Sequence, residues 1–335
     1  MRKIFITMAL ILLAVATAQA QQRVVKVGHI GTMADGPIYI AMEKGYFKER
    51  GIELQLERFP TGGAMMAPLT VGQLHIAGGA ISVGFFNAGA RGFPIKIVAN
   101  RNRNLPGFSQ DTIVVRADLA DQLKTPADFK GRKFAHPGAG SVTIYMMGKF
   151  LEEAGLTLKD VEIIYMPFPD MAAAFKNKAI DAAVAPEPFP TLFEARGLAK
   201  VIRRISQYIR PNVETSGLFV NKEWAEKNRS LLNDFMVAYL KGTREFYEAS
   251  IGGKNRPEVI DILIKHTRIK DRALFDKMEW LFIDPNGEIA KDSVIDQQEW
   301  YHKNGLVPVK ADIDAAIDTS FAKYAVEQLG YYKVK

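Results

Sequence analysis

A chain of 335 residues, 48% of them hydrophobic, is long enough to bury a sizeable core, and with no cysteine it must do so without disulfides. The same absence excludes thiol nucleophiles and cysteine-held metals. The formal charge of +7 is scattered over pairs such as Arg101 with Arg103 and Arg203 with Arg204. No dense basic stripe with interleaved aromatic residues exists, so nucleic acid is excluded as a partner.

The first twenty residues read as a cleaved secretory leader. Arg2 and Lys3 precede an apolar run over 4–17, and Ala18-Gln19-Ala20 supplies the small-x-small cleavage pattern. That run is shorter than the roughly 20 residues a spanning helix needs. A soluble chain exported to the periplasm is expected, and loss of Arg2 and Lys3 lowers the formal charge from +7 to +5.

Beyond the leader, short apolar strands alternate with helical patterns. Strands are expected at 24–30, 51–59, 74–77 and 95–100, with helices at 37–47, 64–71 and 82–90 between them. A second series places strands at 132–136, 161–166, 180–185 and 200–205 around helices at 141–154 and 171–177. Alternation of this kind predicts sheets covered by helices. Polar, proline-bearing stretches at 102–110 and 208–215 separate the series, each followed by a further strand, 111–116 and 216–221. The chain thus leaves one lobe (21–110), builds a second (111–215) and returns (216–335). The return is mostly helical, with stripes such as Leu232, Phe235, Met236 and Tyr239 that read as core. Segments 68–80 and 174–186 share a pattern: Leu69 aligns with Phe175, Leu74 with Ile180, His75 with Asp181 and Ala80 with Pro186. Two lobes of similar build would face each other, with strand ends meeting at a cleft.

Several segments carry a family resemblance by their order. These are GPIYIAMEKGYFKERGI at 36–52, LHIAG at 74–78, FKGRK at 129–133 followed by PGAGS at 137–141, and IDAAV at 180–184 with Glu187-Pro188. Together the chain resembles the periplasmic solute-binding proteins of ABC importers in the nitrate, sulfonate and taurine group, which includes binders of thiamine-pyrimidine precursors. His75 departs from that pattern, which usually has Asp there. The resemblance implies a type II periplasmic-binding-protein fold, α/β, with two lobes, hinge strands at 111–116 and 216–221, and a ligand trapped between. It also implies a membrane permease as the partner that receives the closed form. Pyrimidine-precursor synthases resemble the same scaffold, but they carry a cysteine-rich iron motif that this chain lacks. A binding protein is therefore expected rather than an enzyme, acting as a monomer and without cofactor.

The candidate site residues lie at strand-to-helix turns. Gly140, Ser141, Val142 and Thr143 open a helix whose first N–H groups have no internal partner, a setting suited to an anion. Ser141 lacks the Gly-x-Ser-x-Gly frame of a nucleophile elbow, so it reads as a helix cap or a ligand donor. Asp35 reads as a cap for the helix starting near Pro37 or as a carboxylate for a ligand amine; Ser82 as a cap or a donor; Glu187, between strand end and Pro188, as a ligand carboxylate or a hinge salt bridge. Tyr39 and Phe189 are candidates to stack on a ring or to join the core. A sulfonate- or taurine-like compound, or an aminopyrimidine, fits this set. The alternative is a metal held by His29 and His136 with Asp35 or Glu187, although no His-x-x-x-His spacing supports it.

Overall fold

A computed structural model describes residues 23–109, 111–138, 141–209 and 212–334. The expected leader at 1–20 lies outside the described residues. Among those described, no helix is long and apolar enough to cross a membrane.

Ten strands form two five-stranded sheets with one shared logic. In the first sheet, β1 (Arg23–His29) lies between β2 (Ile52–Arg58) and β3 (Ile76–Ala80), parallel to both. Outside β3 lies the antiparallel β10 (Val213–Asn221), then β4 (Ile95–Asn104). In the second, β6 (Lys133–His136) lies between parallel β7 (Glu162–Tyr165) and β8 (Ala182–Pro186). There β5 (Asp111–Arg116) follows, antiparallel to β8 and to β9 (Ala199–Arg204). Each sheet therefore takes its antiparallel strand just after a crossing of the chain. The similar segments seen in sequence end in β3 and β8, which hold the same place in their sheets. His75 N and Asp181 N donate to Lys26 O and Lys133 O, equivalent bonds in the two lobes.

The helices are amphipathic covers. In lobe 1 they are α1 (Gly36–Glu43), α2 (Met66–Thr70) and α3 (Val83–Ala90). Lobe 2 has α4 (Thr143–Glu152), α5 (Met171–Lys176) and α6 (Phe189–Ala195). The return supplies α7 (Lys222–Lys227), α8 (Arg229–Ser250), α9 (Arg256–His266), α10 (Lys291–Lys303), α11 (Ile313–Ala316) and α12 (Ser320–Leu329).

β10 begins at Val213, within the stretch 208–215 read as a linker, and two further elements differ from the sequence reading. β4 runs on to Asn104 instead of ending at Asn100, because β10 satisfies its polar side chains: Asn102 Nδ2 donates to Thr215 Oγ1 at 2.5 Å and Asn100 Nδ2 to Glu214. Helix α6, with Pro190 in its first turn, was not among the expected helices. Proline is tolerated in the first helical turn, where the missing N–H has no partner to lose.

Helix α10 fixes the position of α4. Gln297 Nε2 donates to Glu214 O at 2.6 Å, anchoring α10 at the start of β10. Residues beside Gln297 reach lobe 2, where Trp300 Nε1 donates to Glu152 Oε1 at 2.8 Å and Tyr145 OH to Asp296 Oδ2 at 2.6 Å. Gly148 lets the Trp300 ring lie flat on α4, for a Cβ there would overlap it. One apolar cluster runs through Phe85 and Phe86 of lobe 1, Trp300 and Tyr301, and Phe134 and Phe150 of lobe 2.

Candidate functional site

A cavity opens where the carboxyl ends of the two sheets meet, the expected place for a ligand in open α/β sheets. Thr32 lies beyond β1, Thr61 beyond β2, Ala80 ends β3, and Pro186 ends β8. Ser141, Val142 and Thr143 close it from lobe 2; Arg101, Asp111 and Ser216 line its inner side. This inner chamber holds about 50 Å³, counted as space open to the centre of a water molecule. A chamber of that size admits a small group. An outer chamber of about 320 Å³ adjoins it and shares Thr61, Gly62, Ala80 and Ser141.

The charge at the inner chamber is a buried pair. Arg101, on β4, is 2% exposed, and its Nη2 donates to Asp35 Oδ1 at 2.6 Å. Weaker bonds run from Nη2 to Thr32 Oγ1 at 3.4 Å and from Nη1 to Ser216 Oγ at 3.3 Å. Its Nε has no partner among the described residues. Gly78 makes room for it, since a Cβ there would stand 2.8 Å from Nε. The second oxygen of Asp35 accepts from Gly31 N at 2.8 Å and Thr32 N at 3.0 Å. Three side chains thus hold the guanidinium at the wall, and two backbone donors hold Asp35.

The opposite wall is a helix end. The N–H groups of Val142 and Thr143 belong to the first turn of α4, where a helix has no internal carbonyl to receive them. The macrodipole adds a partial positive charge there. Thr143 Oγ1 lies 3.2 Å from Ser141 Oγ, so the pair presents hydroxyl oxygens and hydrogens side by side. Nothing in this arrangement activates Ser141, because its hydroxyl contact is another hydroxyl.

Of the residues singled out in sequence, Ser141, Val142 and Thr143 line the inner chamber, and Ser82 lines the outer one. Gly140 lies outside the described residues. Asp35 does not line either chamber: it is 0% exposed and spent on Arg101 and two backbone donors, and its side chain makes no cap bond to α1. Tyr39 is core, its hydroxyl bonded to His29 Nδ1 at 2.8 Å and its ring stacked on His266 at 4.7 Å. Burial holds the His29 imidazole below its ordinary pKa, against the opposing pull of Asp35. Glu187 is buried behind Pro186 and accepts from Thr191 Oγ1 at 2.9 Å and Thr191 N at 3.3 Å. Burial pushes its carboxyl up to about 7. Phe189 stacks on Phe168 at 5.5 Å, inside the lobe 2 core. Burial also pushes His136 down to about 4, and its Nδ1 accepts from Gly138 N. Among the described residues, no three His, Cys, Asp or Glu side chains gather as a metal set.

Sequence reasoning missed Arg101. It lies in a strand buried on both faces, where irregular register between Ile97 and Ala99 breaks the alternation that would have exposed it. A cation at a core position of a strand needs an anionic partner, and Asp35 is that partner.

Two opposed α/β lobes with a cavity at their strand ends define the class as a cleft-binding scaffold of the type II periplasmic-binding-protein kind. The chain belongs to the NMT1/THI5-like family, whose model matches residues 34–249. It is 32% identical over 188 residues to a putative binding protein of Brucella abortus (strain 2308), a match covering 54% of each chain. It thus spans about half the length of that curated relative. It is 24% identical over 261 residues to a putative aliphatic sulfonates-binding protein of Escherichia coli K12, 76% of each chain. Its fold is similar to the periplasmic nitrate-binding protein NrtA of Synechocystis PCC 6803. The TM-score is 0.75 at 18% identity, over 92% of this chain and 90% of that one.

Proposed function

We propose that the protein is the substrate-binding component of an ABC importer, working outside the cytoplasmic membrane. It captures a small organic ligand between its lobes and presents the closed form to a membrane permease. The strand segments 111–116 and 216–221, each following a crossing of the chain between the lobes, act as hinges. A ligand that touches both walls stabilises only the conformation in which the walls face each other.

The observation that carries this reading is the buried Arg101 guanidinium at a small chamber that the first turn of α4 closes from the other lobe. A sulfonate head has three acceptor oxygens to meet Arg101, the hydroxyls of Ser141 and Thr143 and the N–H groups of α4. Sulfonate- or taurine-like compounds are therefore favoured over aminopyrimidines, and the relatives that bind sulfonates and nitrate support an oxyanion. The protein holds its ligand without reacting, since Ser141 has no base beside it.

The test is a thermal-shift and calorimetric screen of the chain from Gln21 onward, stripped of ligand. The panel contains methanesulfonate, taurine, nitrate and an aminopyrimidine. At about 100 times its dissociation constant a true ligand adds about 2.7 kcal/mol. A stabilising sulfonate is the expected result. A shift with the aminopyrimidine alone, or with none of them, overturns the oxyanion reading.

A further inference from the structure

We propose that Glu279 and Arg204 form a latch between the lobes, which biases the protein toward its closed conformation and so tunes how tightly any cargo is held. The inference rests on capture by lobe closure and concerns its regulation, since neither residue lines either chamber.

Arg204 ends β9 in lobe 2, and Glu279 belongs to the return that completes lobe 1. Arg204 Nε lies 2.7 Å from Glu279 Oε2, so an ion pair joins the two lobes outside the cavity. The same carboxylate accepts a bond from the backbone of Ser109, in the stretch between β4 and β5. Ser109 is buried, and its Oγ accepts from Ser206 N at 3.4 Å and donates to Asp111 O at 3.2 Å. Glu279 thus grips one crossing of the chain directly and the other through Arg204.

The lobe 1 side of the pair is firm. Met278 and Trp280, on either side of Glu279, are buried in one apolar core of lobe 1, and Leu192 of α6 in lobe 2 packs against that same core. The lobe 2 side is close to balance. Arg204 Nη1 is buried without a partner among the described residues, a cost that opening of the lobes relieves by returning the group to water. The two side chains are 30% and 18% exposed, so the pair is a modest one. It holds the lobes lightly enough to part. Because apparent affinity scales with the fraction of protein in the binding-competent state, such a latch tightens binding without touching the ligand.

The experiment reads lobe separation directly. The chain has no cysteine of its own, so spin labels can be placed at Glu57→Cys on β2 and Pro167→Cys just after β7. Both positions are exposed, and β2 and β7 are the sheet edges remote from β10 and β5. Electron–electron resonance on the ligand-free chain should show a short and a long distance, and methanesulfonate should leave the short one. Glu279→Gln keeps the shape but not the charge, and should move the ratio toward the long distance about three- to fivefold. Arg204→Gln should do the same, and the double variant should go no further than either single, because each removes one shared pair. Methanesulfonate affinity should fall as the closed fraction falls. Unfolding midpoints check that the variants fold. Unchanged ratios in both single variants, or a double variant shifted by the product of the two, overturn the latch. Methanesulfonate that moves nothing while the variants shift the ratio overturns the oxyanion reading and supports the latch. A single distance in every sample, with and without methanesulfonate, overturns lobe closure and the latch together.

Discussion

Asp35, after β1, and Glu187, after β8, are one buried carboxylate from each lobe, each at the turn between a strand that ends at the cavity and the helix that follows. Their partners differ. Asp35 has a guanidinium at 2.6 Å and two backbone donors; Glu187 has the hydroxyl and N–H of Thr191, while the Arg204 charge only weakly opposes its burial. Burial without an adjacent cation pushes Glu187 up to about 7. The contrast shows how the cleft is charged. Lobe 1 contributes a fixed guanidinium held by its carboxylate, and lobe 2 contributes hydroxyls, a helix end and Asp111, whose Oδ2 accepts from Asn104 Nδ2 at 3.1 Å, while Glu187 is set aside from the cavity.

The largest effect that would break this contrast comes from Arg101→Met. Removing the guanidinium leaves Asp35 buried with only two backbone donors, and losing one partner of a buried pair costs about 3–5 kcal/mol. Urea unfolding should show that loss, and sulfonate binding should vanish with it. A stable variant that still binds would dissolve the distinction between the two walls. Asp35→Asn sharpens it: the shape is kept, but Arg101 loses its counter-charge. The double variant should be less destabilised than the sum of the singles, a coupling above about 1 kcal/mol.

Glu187→Gln should act in the opposite direction and only above a certain pH. The folded-state pKa is raised, so Glu187 favours the fold fully below its unfolded value of about 4.5 and loses that contribution as pH rises through about 7. Glutamine carries no such proton. The variant should match the wild type near pH 4 and become the more stable of the two by pH 8, by up to about 3 kcal/mol. Melting temperatures across that window decide it; a constant difference would mean that Glu187 stays ionised throughout, as a paired carboxylate would.

Much of the fold was legible because it rests on local pattern. Strand and helix periods, and the shared signature of 68–80 and 174–186, depend on neighbours in sequence, and β3 and β8 are their outcome. The lobe 2 wall was legible for the same reason, since a glycine-rich turn before a helix announces free N–H groups. Ser82 was legible as a position, though its missing cap bond was not. Asp35 and Glu187 were visible as carboxylates at strand ends, but the direction in which each points is set by tertiary packing. Arg101 escaped because its partner stands 66 residues away, across the sheet. The irregular register of β4 hides its phase, and the Asn-Arg-Asn-Arg-Asn run disguises that strand as a linker.

The smallest effect comes from Thr191→Val, which tests what little Glu187 has for a partner. The substitution removes the Oγ1 donor at 2.9 Å and leaves the longer bond from Thr191 N at 3.3 Å. A hydrogen bond to a neutral acid contributes about 0.5–1.5 kcal/mol and one to an ionised carboxylate about 1.5–3. Because the hydroxyl stabilises the charged form, its loss should raise the Glu187 pKa further and destabilise the protein more at pH 8 than at pH 5. An equal loss at both pH values would mean that Glu187 does not change its charge in this window. The carboxylate of lobe 2 would then be as firmly ionised as that of an ion pair, and a cation not yet assigned to it would have to be found nearby.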